Sequence, residues 1–207
     1  MTKERARRKR ARHDDKRAAI FAVAKQVFLA EGLEGASLRA IARACGYAPG
    51  ALYAYYDSKE DIYADILRDS LTRLRAAVEA GATGRTPKTA LRGAVRAFYG
   101  FYRDNPHDLD LSLYISQGLG PRGLTPELDA ELNSRLFAAL AVLRQALAAV
   151  RPGLGRAALE LHQQTLLSAV MGVLLLERTG RLSRLGADPA RLLDRHVELT
   201  LKALAPA

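Results

Sequence analysis

The chain has 207 residues, with 32 Lys and Arg against 22 Asp and Glu, for a formal net charge of +10. Hydrophobic residues make up 49% and charged residues 26%, which excludes a disordered chain and allows a sizeable core. The longest strongly apolar run, Leu166 to Leu176, is too short to cross a bilayer, and the single Cys45 excludes an internal disulfide, so a cytoplasmic protein without membrane partners is expected.

The first twelve residues hold seven Lys and Arg against one acid, Glu4. This polar stretch has no apolar run behind its charges and is not a signal peptide. It reads as a basic arm, residues 1–13, that ends near Asp14. Ile20, Val23, Ala24, Val27 and Phe28 then recur at helical spacing, and Gly32 and Gly35 stop this first helix. Ser37 is a good N-cap for a short second helix with Leu38, Ile41, Ala42 and Cys45 on its apolar stripe. Gly46 ends it. Pro49, suited to a first helical position, starts a third short helix running to about Tyr56. Ser58 caps a fourth, with Asp61 as its capping-box acid and a stripe of Tyr63, Leu67, Leu71, Leu74 and Val78.

Residues 81–87 form a turn-rich joint, followed by five more helices. They are predicted over about Lys88 to Arg103, from Asn105-Pro106 to about Leu119, from Thr125-Pro126 through Leu147, over Arg156 to Arg178, and from Asp188-Pro189 through Leu204. No strand pattern or repeat is present. The expected fold is all-α with about nine helices. An N-terminal helix-turn-helix domain spans residues 14–62, and a helical ligand-binding and dimerisation domain spans residues 63–207.

Three short helices in succession, the second and third joined at a glycine, suggest a DNA-binding helix-turn-helix. From Ala18 to about Leu67 the sequence closely resembles the TetR family of transcription regulators. The matching residues are Ala24, Phe28, Gly32, Ser37, Ile41, Ala42, Gly46, Gly50, Leu52, Tyr53, Tyr56, Lys59 and Glu60. The resemblance implies phosphate contacts at Ser37, Tyr53 and Lys59, and base reading at Arg39. It implies a groove-facing surface made of Pro49, Gly50, Ala51, Ala54 and Tyr55. Ala48 departs from the family, which often has Ser or Thr there, so a side-chain cap is missing. The third helix also lacks long polar side chains and can only touch apolar groups such as thymine methyls. Base reading then leans on Arg39, Tyr55 and the basic arm, which is expected either to bind phosphates, to enter the minor groove, or to remain a solvated extension. Tyr56 is expected in the core and Tyr53 outside it. Arg43, four residues after Arg39, reads as part of a solvated face.

The four histidines, His13, His107, His162 and His196, show no metal-ligand spacing. No phosphate-cradling loop or nucleophile elbow is present, so no cofactor, metal or catalytic residue is expected. Asp108 and Asp110 read as complements to a helix dipole. Phe98, Tyr99, Phe101, Tyr102 and Tyr114 form either a helical core or the lining of an aromatic pocket with hydroxyls and Gln117 as polar contacts, and the resemblance favours at least partial lining. The eighth helix is apolar nearly all round and needs burial on every side. The family dimerises through its last two helices, which points to Leu166, Val170, Val173, Leu174, Val197 and Leu201. The implied activity is a homodimeric regulator, by family default a repressor. It would bind a palindromic double-stranded operator and be released when a small-molecule effector moves the fourth helix. A helical ligand-binding or enzymatic protein with decayed DNA contacts, or a general basic nucleoid protein, is the alternative reading.

Overall fold

The computed structural model describes residues 3–117 and 124–205, and helices and turns account for the regular structure among them. Ten helices follow in chain order: α1 Lys3–Gly35, α2 Leu38–Ala44, α3 Pro49–Leu52, α4 Lys59–Gly81, α5 Pro87–Asp104, α6 Pro106–Gln117, α7 Pro126–Val150, α8 Arg156–Arg178, α9 Arg181–Arg184 and α10 Pro189–Ala203. Most boundaries fall on their punctuation. The Ser58 hydroxyl accepts from the Asp61 amide at 3.0 Å and donates to the Asp61 carboxylate at 2.6 Å. Thr86 and Thr89 cap α5 reciprocally. Asp188 accepts from the Ala190 amide at 2.8 Å, with Pro189 at the first helical position of α10. The single turn α9 went unseen in the sequence because four residues cannot carry a periodic stripe.

The first helix departs from expectation. It begins at Lys3, not near Asp14. Arg, Lys and Ala are good helix formers, so the basic stretch adds about three turns to a helix whose first buried residue, among those described, is Ile20. Gly32, at φ 70° and ψ 174°, breaks the helical path near its end. Only glycine adopts that conformation without strain.

The chain divides into two compact units. The first takes Met1–Asp69 and His107–Leu132; the second takes Ser70–Pro106 and Asn133–Ala207. The first unit buries Ile20, Ala24 and Phe28 of α1, Ile41 of α2, Leu52 of α3, Ile62, Tyr63 and Ile66 of α4, and Leu109 and Leu111 of α6. The Phe28 and Tyr63 rings meet edge to face at 5.0 Å, and the Tyr63 hydroxyl donates to the Leu111 carbonyl at 2.6 Å. Asp108 lies in the first turn of α6, buried and paired with Lys25 of α1. Removing Lys25 would take a neutralising cation from a buried carboxylate. These links place α6 in the same unit as α1 to α3.

The second unit packs α5 and α10 against α8. Its core takes Leu91, Val95 and Phe98 from α5, Leu140, Leu143 and Leu147 from α7, and Leu193 from α10. Arg96 grips the Asp194 carboxylate with two bonds of 3.1 and 2.7 Å. The positions that the sequence assigned to a dimer surface fill this core instead. Leu166, Val170, Val173, Leu174 and Val197 are buried within the chain, and Leu201 is half-buried. The reason lies in α8, whose all-round apolar surface resolves into two stripes. One is taken up by α5 and α10. The other carries the exposed Leu161, Leu175 and Leu176, with the small residues Thr165, Ser168 and Gly172 between them. By length and composition α8 could span a membrane, yet its inner stripe is the core of this unit.

Candidate nucleic-acid interface

The interface is built on α2 and α3. Ser37 is extended, and its side chain accepts from the Ala40 amide at 3.1 Å, which opens α2. Ile41 and Ala42 bury one face of that helix, leaving Arg39 and Arg43 exposed on the other. Gly46 turns the chain at φ 72°, and the Tyr47 amide donates to the Ala42 carbonyl at 2.8 Å. A residue with a Cβ would strain this reversal.

Pro49 then starts α3, which is helical only to Leu52 rather than to Tyr56. Ala48 supplies no side-chain cap, and Gly50 weakens the helix further. Residues 53–55 continue as a turn, held by amides of Tyr55 and Tyr56 that donate to the Leu52 carbonyl at 2.8 and 3.0 Å. Leu52 and Tyr56 anchor this segment in the core. Ala48, Pro49, Gly50, Ala51, Tyr53 and Ala54 are all exposed. Tyr53 is 60% exposed and Tyr56 only 4%, so the two tyrosines divide as their helical positions demand. The outward surface of α3 is small and smooth, able to approach base edges closely but poor in hydrogen-bonding groups.

Tyr55 is half-buried, its ring 4.8 Å from that of His13 at an interplanar angle of 31°. Nothing in the spacing of the sequence pairs these residues, and the contact follows from the unexpected length of α1. Arg17 was also missed. It donates to the Tyr56 hydroxyl at 3.2 Å and to Asp65 at 2.5 Å, and lies 4.9 Å over the Tyr56 ring. Its signal was legible: Arg17 continues the stripe Ile20, Ala24 and Phe28 by one turn, so a charge there needs a partner. Arg68 bonds Asp65 at 2.7 Å and Glu131 at 2.6 Å, extending the network. Burial alone would raise the Asp65 carboxyl, but hydrogen bonds from Arg17 and Arg68 outweigh it and hold the group below its ordinary value. Desolvation likewise raises the Tyr56 hydroxyl.

Lys59 is the first residue of α4 and is half-buried. Its ammonium donates to the carbonyls of Leu33 at 2.7 Å and Ala36 at 3.1 Å, with that of Glu34 at 3.5 Å. It closes the end of α1, where carbonyls have no helical partner. A phosphate would have to compete with these acceptors.

The described part of the aromatic cluster lies in the second unit. Phe98, Tyr99 and Tyr102 are buried, and Phe98 and Tyr102 pack edge to face at 5.4 Å. The Tyr99 hydroxyl donates to Glu177 at 2.6 Å. Burial first, then the acceptor carboxylate, raise the Tyr99 hydroxyl well above its ordinary value. The side chains of Tyr114 and Gln117 lie outside the described residues.

The comparisons with known proteins agree with this geometry. The model for bacterial regulatory proteins of the tetR family matches residues 20–66, and that for the tetracyclin repressor-like C-terminal domain matches residues 91–200. The HTH-type transcriptional regulator UidR of Escherichia coli is 39% identical over 67 residues, which cover 30% of this chain and 34% of that protein. The match thus spans about a third of that curated relative. Among solved structures, the TetR family regulator PfmR from Thermus thermophilus aligns with a TM-score of 0.68 at 23% identity, over 90% of this chain and 99% of that one. A tetR family regulatory protein from Rhodococcus aligns with a TM-score of 0.70 at 23% identity, over 92% and 97%.

Proposed function

The chain belongs to the TetR family of bacterial transcriptional regulators, DNA-binding proteins that are not enzymes, and we propose that it is a cytoplasmic homodimeric repressor released from a palindromic operator by a small-molecule effector. The observation that carries this reading is the layout of Ser37 to Tyr56. Ile41, Ala42, Leu52 and Tyr56 are buried, while Arg39, Arg43, Tyr53 and the small residues of α3 share the exposed side. Such a surface suits the major groove, about 12 Å wide. Arg39 then reads a base, while Ser37 and Tyr53 hold phosphates.

The dimer contact in this reading is the outer stripe of α8, Leu161, Leu175 and Leu176, together with the exposed Leu199 of α10. The effector site in this reading lies among Phe98, Tyr99 and Tyr102 of the second unit. By linkage, an effector that weakens operator binding is itself held less tightly by the DNA-bound protein.

Selection from a random pool of DNA duplexes tests the proposal. The expected product is a near-palindrome with half-site centres one helical turn, or a small multiple, apart. Enrichment of a single asymmetric half-site, or of no sequence, would overturn it.

A further inference from the structure

The start of α1 carries charge that nothing else in the first unit explains. Every described side chain from Glu4 to Ala19 is exposed, so burial does not hold this segment. It is held by continuity with the buried part of α1, by Arg17 on Asp65, and by His13 against Tyr55. At about 100° per residue, Arg5, Lys9, Arg10 and Lys16 fall on the side of the helix that carries His13. Glu4 falls on the opposite side and is paired with Arg8 at 2.8 Å. The helix therefore turns a row of cations toward the side where Tyr55 follows α3, with Asp14 as the acid at its edge, 3.8 Å from His13.

We propose that this segment is an oriented phosphate clamp: Arg5, Lys9 and Arg10 grip the backbone of duplex DNA beside the half-site addressed by α2 and α3. The proposal rests on the DNA-binding reading and adds a contact to it. Size decides which part of the duplex the segment meets. A helix with its side chains is about 10–12 Å across, and the minor groove is only about 6 Å wide. A helical segment lies along the phosphates and does not enter that groove. Its contribution then comes from counterion release and is blind to sequence. This offsets the scarcity of hydrogen-bonding groups on α3.

Full-length protein, titrated with its selected operator and with a scrambled duplex of equal length across a salt series, tests the clamp. The variant Arg5→Gln/Lys9→Gln/Arg10→Gln should reduce the slope of log affinity against log salt by about 2–3 and lower affinity at least about tenfold near 0.1 M salt. The loss should be equal on A·T-rich and G·C-rich flanks. Arg7→Gln/Arg8→Gln, on the far side, should leave the slope unchanged. Circular dichroism of both variants checks that the helix remains. An unchanged slope in the first variant overturns the clamp. So does an equal loss in both variants, which marks an unoriented tail, and so does a loss confined to A·T-rich flanks, which marks minor-groove reading. If the unaltered protein prefers its selected operator no more than the scrambled duplex, the regulator reading itself fails, and the clamp with it.

Discussion

Two outward surfaces of this chain differ in kind. Around α2, α3 and the start of α1, the exposed residues include Arg39, Arg43, Tyr53 and a row of cations. Along α8 and α10, they include Leu161, Leu175, Leu176 and Leu199. The first surface suits a polyanion, and its attraction is long-ranged and screened by salt. The second suits a surface like itself, and its attraction is short-ranged, follows area, and depends little on salt. In the proposed repressor these surfaces serve two recognition modes that a change of ionic strength should separate. The proposed repressor needs both, since two half-sites are read only while two copies remain joined.

The strongest test of this contrast places the same charge on the two stripes of α8. Val173 faces inward at 4% exposure, whereas Leu175 and Leu176 are 43% and 37% exposed. Val173→Asp should bury an unpaired carboxylate and cost about 3–5 kcal/mol of stability or more, seen as a large fall in Tm or as misfolding. Leu175→Asp/Leu176→Asp should leave the helical circular-dichroism signal intact, yet yield a monomer by light scattering. Its operator affinity should fall by about a hundredfold or more, because the two half-sites are then bound separately. If the double variant remains a dimer, the outer stripe is not the interface.

This pair of variants also marks where the sequence was readable. Periodicity alone identified α8 as needing burial on all sides, and its limits, Arg156 and Arg178, agree with the structure. It could not say which stripe faces inward, because Leu166 and Leu175 are chemically alike and only the packing of α5 and α10 separates them. The turn at Gly46 and the caps at Ser37, Ser58 and Asp188 were legible because each depends on a local hydrogen bond or a single glycine. Lys59 was not. Its partners are carbonyls 23 to 26 residues away, and a resemblance transfers a position without its partners. The helical start of α1 was missed because an amphipathic stripe was required there, and an exposed helix of Arg, Lys and Ala has none.

On the cationic surface, Arg39 and Lys59 should now part company. Arg39 is exposed; Arg39→Ala should relax preference at one base pair per half-site by about 1–3 kcal/mol while leaving Tm in place. Lys59→Ala should act in reverse. It frees carbonyls at the end of α1 and should lower stability by about 1 kcal/mol, weakening all sequences alike. Binding profiles over single-base operator variants, paired with thermal melts, separate the two. Identical profiles in both variants would erase the distinction between a reading residue and a positioning one.

The smallest expected effect concerns pH and bears on why the cationic surface keeps its shape. Asp65 is held below its ordinary value because hydrogen bonds from Arg17 and Arg68 outweigh its burial. A carboxylate lowered by folding adds stability above its unfolded value, near 4, and loses it as pH falls through the folded value. Asp65→Asn should therefore lower Tm at pH 7, by the equivalent of about 1 kcal/mol, since the network is only partly buried. As pH falls below the ordinary carboxylate range the native Asp65 is itself increasingly protonated, and the gap between variant and parent should shrink. The exposed leucines of α8 do not titrate, so a matched comparison with Leu161→Ala should show no such convergence. Parallel Tm curves for Asp65→Asn and its parent across this range would mean that Asp65 adds nothing to the pH dependence, and that the tie from α1 to α4 rests on apolar packing such as Phe28 against Tyr63.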